Sequence, residues 1–161
     1  MPHPRTLALD VGDRRIGIAI TDALGITAQP LFTLRRTSQR ADLKAVARFI
    51  RQHKVEVVIV GNPLHADGSH SPQSEKSKSF SEALREFFAP THPNLSFHLV
   101  DERLTTLDAH ALLDEAKAKK ISSKSSRLAR TETIDQVAAV LLLESFLNAG
   151  KPALLPDPES V

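Results

Sequence analysis

Asp10 is an acid set inside an otherwise apolar run, Leu7-Ala8-Leu9-Asp10-Val11. A buried carboxylate without a partner is costly, so such a residue is kept by a function or by dedicated donors. Two chemistries suit it equally: ligation of a cation, or acceptance of backbone N–H bonds from the turn at Gly12-Asp13. Asp101-Glu102 is a second acidic pair at the end of a strand-like run, and the alternation of side chains along a strand sends the two to opposite faces. Only one can reach a shared site, which leaves the other to pair with Arg103 or cap a following helix. Asp135, in Thr133-Ile134-Asp135-Gln136, is the third acid. There a capping box, with Thr133 as the cap and Gln136 reaching back, is a sufficient structural account, and the helix dipole adds roughly 0.3–1 kcal/mol. Chemistry is suggested by the conjunction. Carboxylates on the first strand, a later strand end and the final helix can converge over one sheet edge, and such hard oxygen donors suit Mg²⁺ or Mn²⁺ and suit zinc poorly.

A basic stretch lies between the second and third acids: Lys117, Lys119, Lys120, Lys124, Arg127 and Arg130, interleaved with Ser122, Ser123, Ser125 and Ser126. Solvated surface charge is the ordinary reading of such a run. Beside a carboxylate cluster it also reads as a flexible arm that neutralises a phosphodiester backbone while ions hold the attacking and leaving oxygens in line. Competing motifs fail. Gly12 and Gly17 are spaced like a phosphate-loop pair, but Ile18-Ala19 replaces the Lys-Ser/Thr that the loop requires. The histidines form no metal-ligand spacing, and His98 is expected to be a half-buried strand residue.

The elements that must position these groups follow from patterning. Leu7–Val11 and Ile16–Ile20 read as strands joined by a tight turn, with a third strand at Leu31–Leu34. Leu43, Val46, Ala47 and Ile50 mark an amphipathic helix ending near His53. Val55–Val60 is a β-branched run stopped by Gly61-Asn62-Pro63, as expected of a strand covered on both faces. A loop over Leu64–Ser74 precedes a helix marked by Phe80, Ala83, Leu84 and Phe87, and Leu95–Val100 is a fifth strand carrying Asp101-Glu102-Arg103 at its end. Leu104, Leu107, Ala111 and Leu112 indicate a further helix, and the last, from Thr133 to Leu147, is apolar over most of its circumference and expected to be deeply buried. These elements make a five-stranded mixed sheet flanked by helices, with functional groups gathered beyond the carboxyl ends of the parallel strands.

A chain of 161 residues, 41% hydrophobic and 25% charged, suits one globular domain, expected over 1–150 with a flexible Pro-containing tail over 151–161. The absence of cysteine excludes disulfide scaffolds, thiolate metal sites and cysteine nucleophiles, and 4% aromatics gives little material for a base-stacking platform. No membrane span or signal segment is recognisable, so a cytoplasmic protein is expected. The net charge of +2 names no partner by itself.

Four segments together carry a resemblance: Leu7–Gly12 with Arg15–Ala19, Val58–Leu64 with Asp67-Gly68-Ser69, Asp101–Thr106, and Ile134–Ala139. In this order, across about residues 5 to 148, they resemble the YqgF family, which is described in terms of pre-16S rRNA cleavage and similarity to Holliday-junction resolvases. The resemblance implies an α/β, RNase H-like fold with a five-stranded mixed sheet in the order 3-2-1-4-5. It implies Asp10, Glu102 and Asp135 as catalytic acids that bind Mg²⁺ or Mn²⁺ for phosphodiester hydrolysis, with Glu102 rather than Asp101 chosen as the ligand. Arg15, Arg103, Thr105, Lys120, Lys124, Arg127 and Arg130 are expected to hold substrate, and Gly12, Gly61, Asn62 and Asp101 to support the site. Related resolvases carry an acid on the strand next to the first, where this chain has Gly61-Asn62, so a more open site is expected. The expected function is metal-dependent processing of the 5′ end of pre-16S rRNA, on structured RNA or in ribosomal particles. Alternatives are cleavage of branched DNA, which would favour a homodimer, and a noncatalytic nucleic-acid- or ribosome-binding module.

Overall fold

In the computed structural model, residues 3–63, 67–101 and 124–148 are described, with 124–133 described for the backbone alone. The hairpin is formed by β1 (Thr6–Val11) and β2 (Arg15–Thr21), and β3 (Ala28–Arg35) extends it antiparallel. On the other side of β1, β4 (Val57–Asn62) and β5 (Ser96–Asp101) add in parallel, so the order is β3-β2-β1-β4-β5. This is the sheet the sequence leads one to expect, with strand ends shifted by a few residues.

Two helices connect the parallel part. α1 (Gln39–Gln52) starts where the Ser38 hydroxyl accepts the Ala41 N–H and stops before Lys54, whose φ of 53° takes the left-handed conformation common after helix ends. α2 (Pro72–Phe88) begins inside the expected loop, because Ser71 caps it through the Ser74 N–H and Pro72 occupies its first turn. Leu7, Leu9, Ile16, Ile18, Val58 and Val60 point to the α1/α2 side, where they bury with Val46, Ala47, Ile50, Phe80, Leu84 and Phe88.

The opposite face is shallow where it carries Ala8 and Ala19. Ala8, Ala19 and Ile59 pack against Ala139, Leu142 and Leu143 of α3 (Lys124–Asn148). Here the structure corrects three expectations. α3 starts at Lys124, so Lys124, Arg127 and Arg130 belong to helix backbone and not to a flexible arm. The segment contains no Gly or Pro, and Lys, Arg and Ala propagate a helix well, so its serines do not interrupt it. Thr133 therefore lies inside the helix and cannot cap it, and Gln136 donates its amide to Thr33 Oγ1 of β3 at 3.1 Å instead of reaching back. Finally, Ala139, Leu142 and Leu143 are fully buried, whereas Ile134, Val137, Ala138, Leu141 and Phe146 are only partly covered, since α3 lies on one face of the sheet and presents only one side to it. His98 is half-buried as expected, 6.2 Å from the Phe146 ring.

Candidate active site

The site grows from one register pair. Asp10 lies directly opposite Gly17 across the hairpin, and directly opposed residues of an antiparallel pair send their side chains to the same face. That face is the α3 side. A β-carbon placed on Gly17 would stand 2.1 Å from the Asp135 carbonyl oxygen and 3.2 Å from the Asp135 β-carbon. Glycine thus lets the helix backbone touch the sheet beside Asp10. With opposed β-carbons about 5 Å apart, the Asp10 and Asp135 β-carbons are held within roughly 8–9 Å, a span that two carboxylates can close around one cation.

Asp135 accepts a charge-assisted hydrogen bond from Arg15 Nε at 2.7 Å, and the two side chains are 24% and 32% exposed. Arg15 lies two residues before Gly17 on β2 and therefore projects to the same face. Gln136, the next residue of α3, is anchored to Thr33, which pairs with Gly17 from the other side. The sequence reading missed Gly17, Thr33 and Gln136 as parts of the site. The signal for Gly17 was available: with Val11 opposite Ile16 around the turn, Asp10 must face Gly17.

The turn itself is braced. The Gly12 N–H donates to the Arg15 carbonyl at 2.8 Å, and a side chain at Gly12 would come within 2.9 Å of that oxygen. Arg36 donates through Nη1 to the Gly12 carbonyl at 3.0 Å and through Nε to Asp42 at 3.0 Å, while Asp42 is buried and also accepts the Thr37 N–H. Gln73 of α2 donates to the Val11 carbonyl, and Lys76 pairs with Asp13 at 2.6 Å, which holds the Asp13 carboxyl below its usual range. The Ser74 hydroxyl donates to Asn62 Oδ1. Since Asn62 is paired with Asp101, this contact puts both on the α2 side, opposite to Asp10. Gly61 and its partner Val100 belong to the α3 side.

The other expected site residues, Glu102, Arg103, Thr105 and Lys120, lie outside the described residues, as does the helix expected after Leu104. Lys124, Arg127 and Arg130 precede Asp135 on the same helix. Among the described residues no group of three or more His, Asp or Glu side chains could hold a metal ion. The two acids brought together, Asp10 and Asp135, offer hard oxygens only, a donor set that fits Mg²⁺ or Mn²⁺.

A family described as RuvX, Holliday junction resolvase, matches residues 4–149. The chain belongs to this family. Among RuvX-family relatives, a protein of Myxococcus xanthus named "Putative pre-16S rRNA nuclease" is 43% identical over 96% of this chain and 93% of its own length. One of the same name from Koribacter versatilis is 42% identical over 91% of this chain and 88% of its own. Among solved structures, Thermus thermophilus RuvC in complex with a Holliday junction superposes with a TM-score of 0.57 at 11% identity, covering 92% of this chain and 98% of that one. The fowlpox virus Holliday junction resolvase gives 0.55 at 18% identity, covering 91% and 99%. These likenesses establish the RuvC-like, RNase H-like fold, and the RuvX-family membership makes the chain a nuclease.

Proposed function

We propose that this protein hydrolyses phosphodiester bonds with Mg²⁺ or Mn²⁺, acts in the cytoplasm, and takes structured pre-16S rRNA as its substrate. The observation that carries the reading is the meeting of Asp10 and Asp135 on one face, enforced by Gly17. Glu102 completes the ligand set. The support is the resemblance together with the place of Asp101, which belongs to the α2 side, away from Asp10. A bound divalent cation supplies positive charge that acidifies an attacking water and neutralises the leaving oxygen. Asp10 and Asp135 hold that charge in place, and the braced hairpin keeps Asp10 from drifting. Arg15 uses Nε on Asp135 and keeps its Nη N–H groups for a phosphate oxygen, so one side chain couples the metal ligand to the substrate. Arg103, Thr105, Lys120, Lys124, Arg127 and Arg130 extend the phosphate contacts.

Asp10→Asn tests the reading. The variant should fold and bind RNA as before while Mn²⁺-dependent cleavage of a pre-16S 5′ fragment disappears; unchanged cleavage would remove Asp10 from the mechanism. Tight, salt-sensitive binding by the native protein, with no cleavage in either metal, would instead identify a binding module. The family description and the resolvase neighbours favour branched DNA as the second reading. Assaying a four-way junction beside the rRNA fragment, at one salt concentration, decides between them, and a junction preference should be accompanied by a two-fold dimer.

A further inference from the structure

α1 carries Arg40, Lys44, Arg48 and Arg51, all exposed. At helical spacing these four fall within an arc of about 80° and extend along about 16 Å of helix axis. The only acid of α1, Asp42, is buried against Arg36, so the outer face carries no negative charge. Among the described residues Arg40, Lys44 and Arg48 enter no ion pair, whereas Arg51 stacks over the rings of Phe87 and Phe88. Lys44, Arg48, Arg51, Gln52 and Phe87 line a groove of about 680 Å³ that contains no acidic wall.

The position of this stripe gives it meaning. The N-terminal end of α1 is tied through Asp42 and Arg36 to Gly12, at the end of the sheet that bears Asp10. Arg35, exposed at the end of β3, pairs in register with Arg15. Cationic side chains therefore run from Arg15, which is paired with Asp135, to Arg35 at the sheet edge, then along α1 from Arg40 to Arg51. We propose that this is a second nucleic-acid track, which carries the phosphate backbone of the substrate away from the cleavage site over the β3 edge. It rests on the nuclease reading for its starting point. A lipid surface is the poorer partner, because the apolar face of α1, with Val46, Ala47 and Ile50, is buried against the sheet and only charge is left to offer.

The test compares the native protein with Arg40→Gln/Lys44→Gln/Arg48→Gln by titration over a salt series. One probe is an RNA stem-loop with a long single-stranded extension; the other is a duplex too short to reach α1 from the Asp10 end. Each phosphate contact contributes about 0.7–0.9 to the slope of log Kd against log salt, so the triple variant should lose about 2–3 slope units on the long probe and almost none on the short one. The cation-preserving Arg40→Lys/Arg48→Lys should restore the slope. An unchanged slope on the long probe, or an equal loss on both probes, overturns the track. So does binding to vesicles of phosphatidylglycerol and phosphatidylcholine that falls in the triple variant while RNA binding does not. If Asp10→Asn cleaves normally and the triple variant still loses its slope, the nuclease assignment of Asp10 falls and the track stands.

Discussion

Gly17→Ala should damage the site without touching any charged group. The added methyl would start 2.1 Å from the Asp135 carbonyl oxygen, and the obstacle is helix backbone, which cannot rotate away. Carbon–oxygen contacts settle near 3.3 Å, so the turn of α3 around Asp135 must retreat by about 1 Å. Overpacking of this kind costs roughly 1–3 kcal/mol, partly offset by the ~0.5–1 kcal/mol that alanine gains over glycine in a strand. At about 2–4 °C per kcal/mol for a chain of this size, the melting temperature should fall by only a few degrees. The functional effect should be much larger, because a misplacement of about 1 Å in a catalytic constellation can cost ~100-fold in rate. Cleavage should be measured well below the melting transition, with Mn²⁺ affinity followed separately by calorimetry. A Gly17→Ala protein with native rate and native Mn²⁺ affinity would refute the claim that this glycine sets the distance between Asp10 and Asp135.

Arg15→Gln should leave stability within about 1 kcal/mol, as befits a partly exposed pair, and tighten Mn²⁺ binding by up to ~5-fold as the competing guanidinium leaves, while the KM for RNA rises. Opposite movement of the two affinities is the signature to look for. Asp42→Ala strands Arg36, a partly buried and bonded cation, and should cost about 3 kcal/mol by chemical denaturation, with loss of activity following from the freed Gly12 turn. Asp22 accepts the Ile26 N–H and the Thr27 hydroxyl, which holds its carboxyl below the usual 3.8. Its contribution is complete above pH 3.8 and is lost as pH falls through the lower folded value, so Asp22→Asn should be slightly less stable than the native protein at neutral pH, with the difference vanishing as pH falls through the acid range.

The hairpin, the central β-branched strand and both connecting helices were legible because hydrophobic period and turn residues are local signals. Asp10 stood out as a candidate as well, since a charge in an apolar strand contradicts its surroundings. The beginning of α3 was misread: serine-rich composition suggests a loop, yet nothing in Lys124–Thr133 breaks a helix. The bond between Gln136 and Thr33 was beyond sequence reading, because the two are 103 positions apart and only packing brings them together.

Residue types and alternation alone determined that this chain holds a mixed sheet, carries carboxylates suited to hard cations, and cannot use thiol chemistry. Only the folded molecule decided which acids share a face. Register is set by the pairing of whole strands, and a slip of one residue would turn Asp10 to the other layer. The approach of α3 is likewise a property of two surfaces, one made shallow by Ala8, Gly17 and Ala19, the other offering Ala139 and a bare stretch of backbone at Asp135. No segment holds that information by itself, since close packing depends on shapes that meet only after both have formed.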